Sequence, residues 1–184
     1  MLIKKGLIGY ILKNNRRVFE ASNPERILQM LEEKMALLRP VVGNLSQRYA
    51  GKKEKKETNV YKGKAGLKTI FEDQLSYKEI LILGASPDAY TILQYYFKWY
   101  DVKRIQKKIR VRIIAYDRKI TKVPFSQIRY LPKKYANPVA INVYGNKIAM
   151  VLWVKDPIVI VISEEEIADA YRHYFELLWN IAKS

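Results

Sequence analysis

Residues Gly6–Ala21 read GLIGYILKNNRRVFEA, and what they form decides how the rest of the chain is assembled. Two apolar stretches, LIGYIL and VF, flank the polar run Lys13-Asn14-Asn15-Arg16-Arg17. Asparagine tolerates the left-handed backbone of a tight hairpin turn. The spacing predicts a short strand, a turn at Asn14-Asn15 and a second strand, with a basic tip.

A helix follows directly. Ser22 or Asn23 can cap it, and Pro24 suits the first helical position. Beyond the cap, Leu28, Leu31, Met35, Leu38, Val42, Leu45 and Tyr49 recur in steps of 3, 4, 3, 4, 3 and 4, an uninterrupted a/d heptad stripe. Such a stripe needs cover. A second copy of the same helix supplies it most simply, and packing on its own domain is the alternative. Pro40 falls at an outward f position, where it would kink the helix without entering the seam. The run GKKEKKET, Gly51–Thr58, has charge of both signs and no apolar residue, so it reads as a frayed helix end or hinge.

The remainder alternates helix and strand, then runs strand after strand. Lys64–Leu75 is predicted helical, Glu79–Leu83 a buried strand stopping at Gly84, and Pro87–Lys108 one long tyrosine-rich helix. Further strands are expected at Arg110–Tyr116, Val139–Tyr144, Lys147–Val154 and Ile158–Ile162, with a turn at Gly145-Asn146. Ser163 is expected to cap a last helix, with Glu166 completing a capping box. The fold class is α/β, or mixed α+β: a mixed sheet flanked by helices.

Composition narrows the function. Thirty-four basic against eighteen acidic residues leave a net charge of +16 in 184 residues. That points to a polyanionic partner, nucleic acid first and an anionic membrane second. No cysteine is present, so there is neither a disulfide framework nor a thiolate metal site. No apolar run reaches about 18 residues, so no membrane span is expected. The start, MLIKKGLIGYILKNNRR, has too short an apolar stretch for a signal peptide, which leads to a cytoplasmic expectation.

Catalysis finds little support. The one histidine, His173, sits among Tyr171, Tyr174, Phe175 and Trp179 in the predicted last helix, where a surface or packing role suffices. Glu164-Glu165-Glu166 is explained by a helix first turn. Gly63, Gly66 and Gly84 make neither a P-loop nor a dinucleotide fingerprint, and Ser86 has no G-x-S-x-G context. No cofactor and no metal are expected. One loop does stand out. Gly84, Ala85, Ser86 and Asp88 join a buried strand to a helix, a place where ligands gather in open α/β sheets, although an ordinary βα turn reads the same. Ser163, after another strand, is a second effector-binding candidate. The segment Lys98–Lys134 holds thirteen lysines and arginines against Asp101 and Asp117, a net of +11 centred on Lys103, Arg104, Lys107, Lys108, Arg110 and Arg112. It reads as a second nucleic-acid contact, an anionic-effector site, or a solvated helix face with a charge-guarded strand edge. The aromatics within and before it (Tyr95, Tyr96, Phe97, Trp99, Tyr100) are expected in the core rather than as a base-stacking platform.

Taken in order, these pieces resemble the TrmB family of transcriptional regulators. GLIGYILKNNRRVFEASNPERIL looks like the family's wing and its Asn-Pro-Glu helix start, and the heptad helix like its dimerising coiled coil. NVYKGKAGLKTIFEDQL, Asn59–Leu75, looks like the opening of the effector domain, and YRHYFELLWNIAK, Tyr171–Lys183, like its last helix. The resemblance implies a winged helix-turn-helix, a coiled-coil homodimer and a sensor of phospholipase D-like fold. Members control sugar or central metabolic genes, and some bind sugars, so DNA and a small-molecule effector, a sugar or metabolite, are the implied partners. The implied wing contacts are Lys4, Lys5, Lys13, Asn14, Asn15, Arg16 and Arg17. The phospholipase D signature H-x-K-x4-D is absent: the corresponding stretch, INVYGNKIAMVLW at Ile141–Trp153, has no histidine. That implies sensing without hydrolysis. The family's recognition helix would precede Met1, so weak DNA binding with little sequence preference is expected, since wings position on phosphate while base edges specify. The extra sugar-binding region of the longest members would not fit after Lys183.

The resulting division is 1–22 for a remnant wing, 23–56 for a dimerisation helix and linker, and 57–184 for the effector domain. The alternatives are a phospholipase D-like or nuclease enzyme, and a non-specific nucleic-acid-binding protein.

Overall fold

The computed structural model describes residues 2–50, 57–120 and 123–183, apart from the side chains of residues 47–50. Tyr49 of the heptad stripe, and the linker between residues 51 and 56, lie outside what is described. The chain divides into two units, Met1–Glu54 and Lys55–Ser184.

In the first unit a 3-10 turn, Ile3–Lys5, leads into strands β1 (Ile8–Lys13) and β2 (Arg16–Ala21), which pair antiparallel. Asn14 and Asn15 both take positive φ, 50° and 57°, the signature of a two-residue primed turn. At the open end of the hairpin, Ser22 Oγ donates to the Gly6 carbonyl at 2.8 Å. Helix α1 (Glu25–Ala50) then begins, with Asn23 Oδ1 accepting the Glu25 N–H at 2.9 Å. Asn23 is thus the capping side chain and Pro24 takes the first position, where its missing N–H costs nothing. The helix runs on through Pro40. Its apolar residues lie open, with Leu28, Leu31, Met35, Leu38, Val42 and Leu45 each more than half exposed.

The second unit is a seven-stranded sheet in the order β3-β9-β8-β7-β4-β5-β6. Its elements are β3 (Glu57–Lys62), α2 (Gly63–Gln74), β4 (Glu79–Ala85), α3 (Asp88–Gln106), β5 (Arg110–Ala115), β6 (Ser126–Tyr130), β7 (Val139–Tyr144), β8 (Lys147–Leu152), β9 (Ile158–Ser163) and α4 (Glu165–Ile181). The β4–β5–β6 pairs are parallel and all others antiparallel, so the sheet is mixed. Alternation along each strand feeds two cores. Ile80, Val111, Ile113, Val151 and Val159 pack with Leu67, Phe71, Leu93 and Phe97 of α2 and α3. Leu81, Ile114, Val143 and Ile148 pack with Ala168, Phe175 and Trp179 of α4. Helices therefore cover both faces of the sheet. At the β7–β8 turn, Gly145 (φ +51°) is required twice over: a Cβ there would fall 1.9 Å from the Tyr77 ring.

Four expectations are corrected. Glu57 and Thr58 are not linker but the start of edge strand β3, and β6 is a strand with no counterpart in the sequence reading. The long tyrosine-rich helix is interrupted at Leu93, whose backbone is non-helical (φ −122°, ψ 29°). Ser163 stays in β9, leaving Glu164 as the extended N-cap residue of α4 and Ile167 at N3, so the expected Ser163–Glu166 capping box is out of register with the helix start. Of the aromatics expected in the core, Phe97 and Tyr100 are buried, while Tyr95 is 80% exposed and Trp99 42%. Among the described residues no helix is long and apolar enough to cross a membrane.

Candidate nucleic-acid interface and effector loop

Side chains alternate along a strand, so hairpin register assigns each basic residue to a face. Lys13 pairs directly with Arg16, and Leu12 with Arg17. Lys13, Arg16, Ile11 and Val18 therefore share one face, and Arg17 shares the other with Tyr10, Leu12 and Phe19. Arg17 lies over the Tyr10 ring at 4.9 Å, and Tyr10 meets Phe19 edge-on at 6.1 Å. All seven expected wing residues are exposed. They do not form one cluster: Lys4 and Lys5 sit at the open end of the hairpin, about 20 Å of strand from the tip. Like charges directly opposite one another destabilise a strand pair. The Lys13–Arg16 pair is therefore an arrangement that an anion between the two side chains would relieve.

The basic stretch between Lys98 and Lys134 is largely committed to the fold. Arg104 is 1% exposed; its guanidinium donates to the Ile109 and Pro124 carbonyls, each at 3.0 Å, and pairs with Asp101 at 3.3 Å. Lys107 donates to the Leu75 carbonyl at 3.0 Å. Arg112 grips Glu176 with two hydrogen bonds, 3.1 and 2.5 Å, and approaches Glu79 at 3.6 Å. Arg129 donates to the Trp179 carbonyl at 2.6 Å, and Lys103 stands 3.6 Å over Trp99. Of the six residues at the centre, Lys103, Arg104, Lys107 and Arg112 thus brace the fold, while Lys108 and Arg110 stand exposed.

The loop after β4 is built as the sequence suggests, with its polar groups turned inward on each other. Gly84 (φ +78°) forms a bulge in the β4–β5 register and has the Val139 carbonyl 3.0 Å from where a Cβ would stand. Ser86 Oγ accepts the Asp88 N–H and donates to the Asp88 carboxylate, both at 3.2 Å, closing a cap on α3. Ser163 does not join this loop. Three successive antiparallel pairings separate β9 from β4, so Ser163 lies at the opposite end of the sheet.

Ala85 and Ser86 border a cavity of about 80 Å³ between the sheet and helices α2 and α3. Two polar side chains that sequence reading did not single out, Gln74 and Asn142, reach it, together with Asp101 and Arg104 of the basic stretch. Burial raises the Asp101 carboxyl above its usual range, an effect that Arg104 opposes. Burial also raises the Tyr90 phenol, with Asp101 adding to it. A signal for Asn142 was present, since it is the one amide in the apolar strand VAINVY. His173 is exposed on α4, and among the described residues no cluster of three or more His, Asp or Glu could hold a metal ion.

No protein-family model matches the chain. No curated protein matches it either. Solved structures do. TrmBL2, described as an archaeal chromatin protein showing a novel mode of DNA binding, matches with a TM-score of 0.52 at 13% identity, over 99% of this chain and 78% of that one. NucT from Helicobacter pylori matches with a TM-score of 0.53 at 11% identity, over 70% of this chain and 98% of that one. Nuc from Salmonella typhimurium, a phospholipase D family member, gives 0.46 at 14% identity. At such identities the likeness is one of fold: a mixed α/β architecture, with a large mixed sheet flanked by helices, that this chain shares with TrmBL2 and NucT.

Proposed function

We propose that the chain is a DNA-binding regulator of the TrmB type, in which the hairpin is a wing against the phosphate backbone and the second unit senses a small molecule without catalysis. The observation that carries the DNA part is the exposed tip, where Lys13 and Arg16 oppose each other and Arg17 is braced on Tyr10. The fold likeness to TrmBL2, whose described activity is DNA binding, supports it. Phosphate contacts position a protein without reading sequence, so affinity should be modest and steeply salt-dependent. In the triple variant Lys13→Ala, Arg16→Ala, Arg17→Ala, the slope of log affinity against log salt on a short duplex is expected to fall by about 2 to 3, near 0.9 per lost phosphate contact. An unchanged slope would remove the wing from the interface. Intact DNA is expected after the same incubations. The β7–β8 hairpin carries no histidine and His173 stands exposed on α4, which supports a non-catalytic reading; cleavage of the duplex would favour the nuclease alternative.

The open heptad face of α1 supports a homodimer through that helix. Six a/d side chains more than half exposed would leave an apolar stripe in water that a second copy buries. Light scattering is expected to give twice the chain mass, and Leu31→Glu with Leu38→Glu is expected to shift it to one chain mass. A wild-type monomer at high concentration would end this part of the reading.

A further inference from the structure

We propose that the cavity under the Ala85-Ser86 loop binds a neutral, mostly apolar small molecule carrying one hydrogen-bond acceptor, such as a short-chain ketone, aldehyde, ester or ether. Gln74 carries the argument. Its side chain is 0% exposed, borders the cavity, and accepts the Tyr100 hydroxyl proton through Oε1 at 3.0 Å. Among the described residues its Nε2 has no hydrogen-bond partner. Buried donors are almost always satisfied, so an unpaired amide beside a void marks the place of an acceptor that the chain does not supply. Around it the walls are apolar and largely aromatic: Phe71, Phe97, Trp153, Ile82 and Ala140. Apolar walls with a few placed polar groups are the usual make-up of a small-molecule site.

The same walls select against other classes. Among the described residues the ionic groups there, Asp101 and Arg104, pair with each other, and Arg104 is further tied to two backbone carbonyls. A charged ligand would shed its water with no free counter-charge to meet it. A volume of about 80 Å³ matches roughly three molecules of liquid water, which suits roughly four or five non-hydrogen atoms. A sugar ring does not fit that space, and its hydroxyls would outnumber the available partners. The inference deepens the sensing half of the function proposed above and replaces a sugar by a smaller, less polar ligand.

The test uses acetone and 2-methylpropene, which share a shape and differ in the carbonyl oxygen, titrated into the full chain and followed by ¹H–¹⁵N NMR. Acetone is expected to move the Gln74 side-chain amide and the Ala85 and Ala140 backbone amides saturably, and to bind about three- to tenfold more tightly than 2-methylpropene. Gln74→Leu is expected to abolish that preference while leaving both probes bound, and Ala89→Leu, which fills the cavity, to exclude both. Equal affinity of the two probes for the wild-type chain, or no saturable shift because the cavity holds water only, would overturn the proposal. The wild-type comparison decides even if a variant fails to fold. No DNA is present, so a negative result leaves the wing reading standing, and loss of DNA binding would leave the cavity reading untouched.

Discussion

Arg104→Leu is expected to cost the second unit about 3–5 kcal/mol, the range found when one partner of a buried ion pair is removed. The guanidinium joins three separate pieces of chain: Asp101 within α3, the Ile109 carbonyl before β5, and the Pro124 carbonyl before β6. Leucine keeps much of the bulk but leaves a half-buried carboxylate without its counter-charge and two carbonyls without their donors. At a urea dependence of about 2 kcal/mol per molar, the unfolding midpoint should fall by roughly 1.5–2.5 M. Lys98→Ala, in the same basic stretch but on the exposed face of α3, should move stability by no more than about 0.5 kcal/mol. If the two substitutions prove equally mild, Arg104 is not the brace that its burial indicates. If Arg104 served DNA instead, its loss would appear in the salt slope of binding and not in the midpoint.

Alkaline solution should unfold the second unit unusually steeply. Burial pushes the phenols of Tyr100 and Tyr144 well above the ordinary value of 10.0; the nearby Asp101 carboxylate adds to the effect at Tyr100, against Arg104, and Asp73 adds to it at Tyr144. In the unfolded chain both ionise near pH 10. Above that pH the folded protein holds two protons that the unfolded chain has released, so the stability these groups contribute is fully present below pH 10 and drains as pH rises beyond it. Each approaches about 1.4 kcal/mol per pH unit well above pH 10, and because the unfolded phenols are half ionised at pH 10 the pair loses about 2 kcal/mol between pH 10 and 11. Urea unfolding at pH 9, 10 and 11 measures the slope, and Tyr100→Phe with Tyr144→Phe should lower it by the share of these two phenols, leaving that of Tyr96 and Tyr90, which burial also raises. A double variant as alkali-sensitive as the wild type would show that these phenols titrate in the folded state.

What could be read from the sequence was whatever a local pattern encodes. Asn14-Asn15 dictates its turn because few residue types accept positive φ at two successive positions. EILIL and VAINVY announce buried strands because both faces of the sheet are covered by helices, so nearly every side chain must be apolar. The edge strands escaped for the opposite reason. ETNVYK and SQIRY each lie at an edge of the sheet and are half solvated, so neither shows a clean apolar pattern, and the partner of the first, β9, lies a hundred residues on. Charge misled in the same way: nothing near Arg112 in sequence reveals Glu176, sixty-four residues on. The cavity was illegible because its wall is gathered from helices, strands and loops, and Gln74 looks like any polar helix residue until the fold leaves its amide unmatched.

The pairing of β3 with β9 orders events during synthesis. Val60 sits opposite Ile160, so the first strand of the sheet has no neighbour until almost the whole chain has emerged. At ribosomal speeds of about 5–20 residues per second, that gap lasts on the order of 5–20 s. Helix α1 is already made by then, its apolar stripe in water while the second unit is still unfinished. On a polysome, the nearest chain in the same condition is another copy of itself, so the homodimer proposed above would form at birth and not in a search between finished molecules.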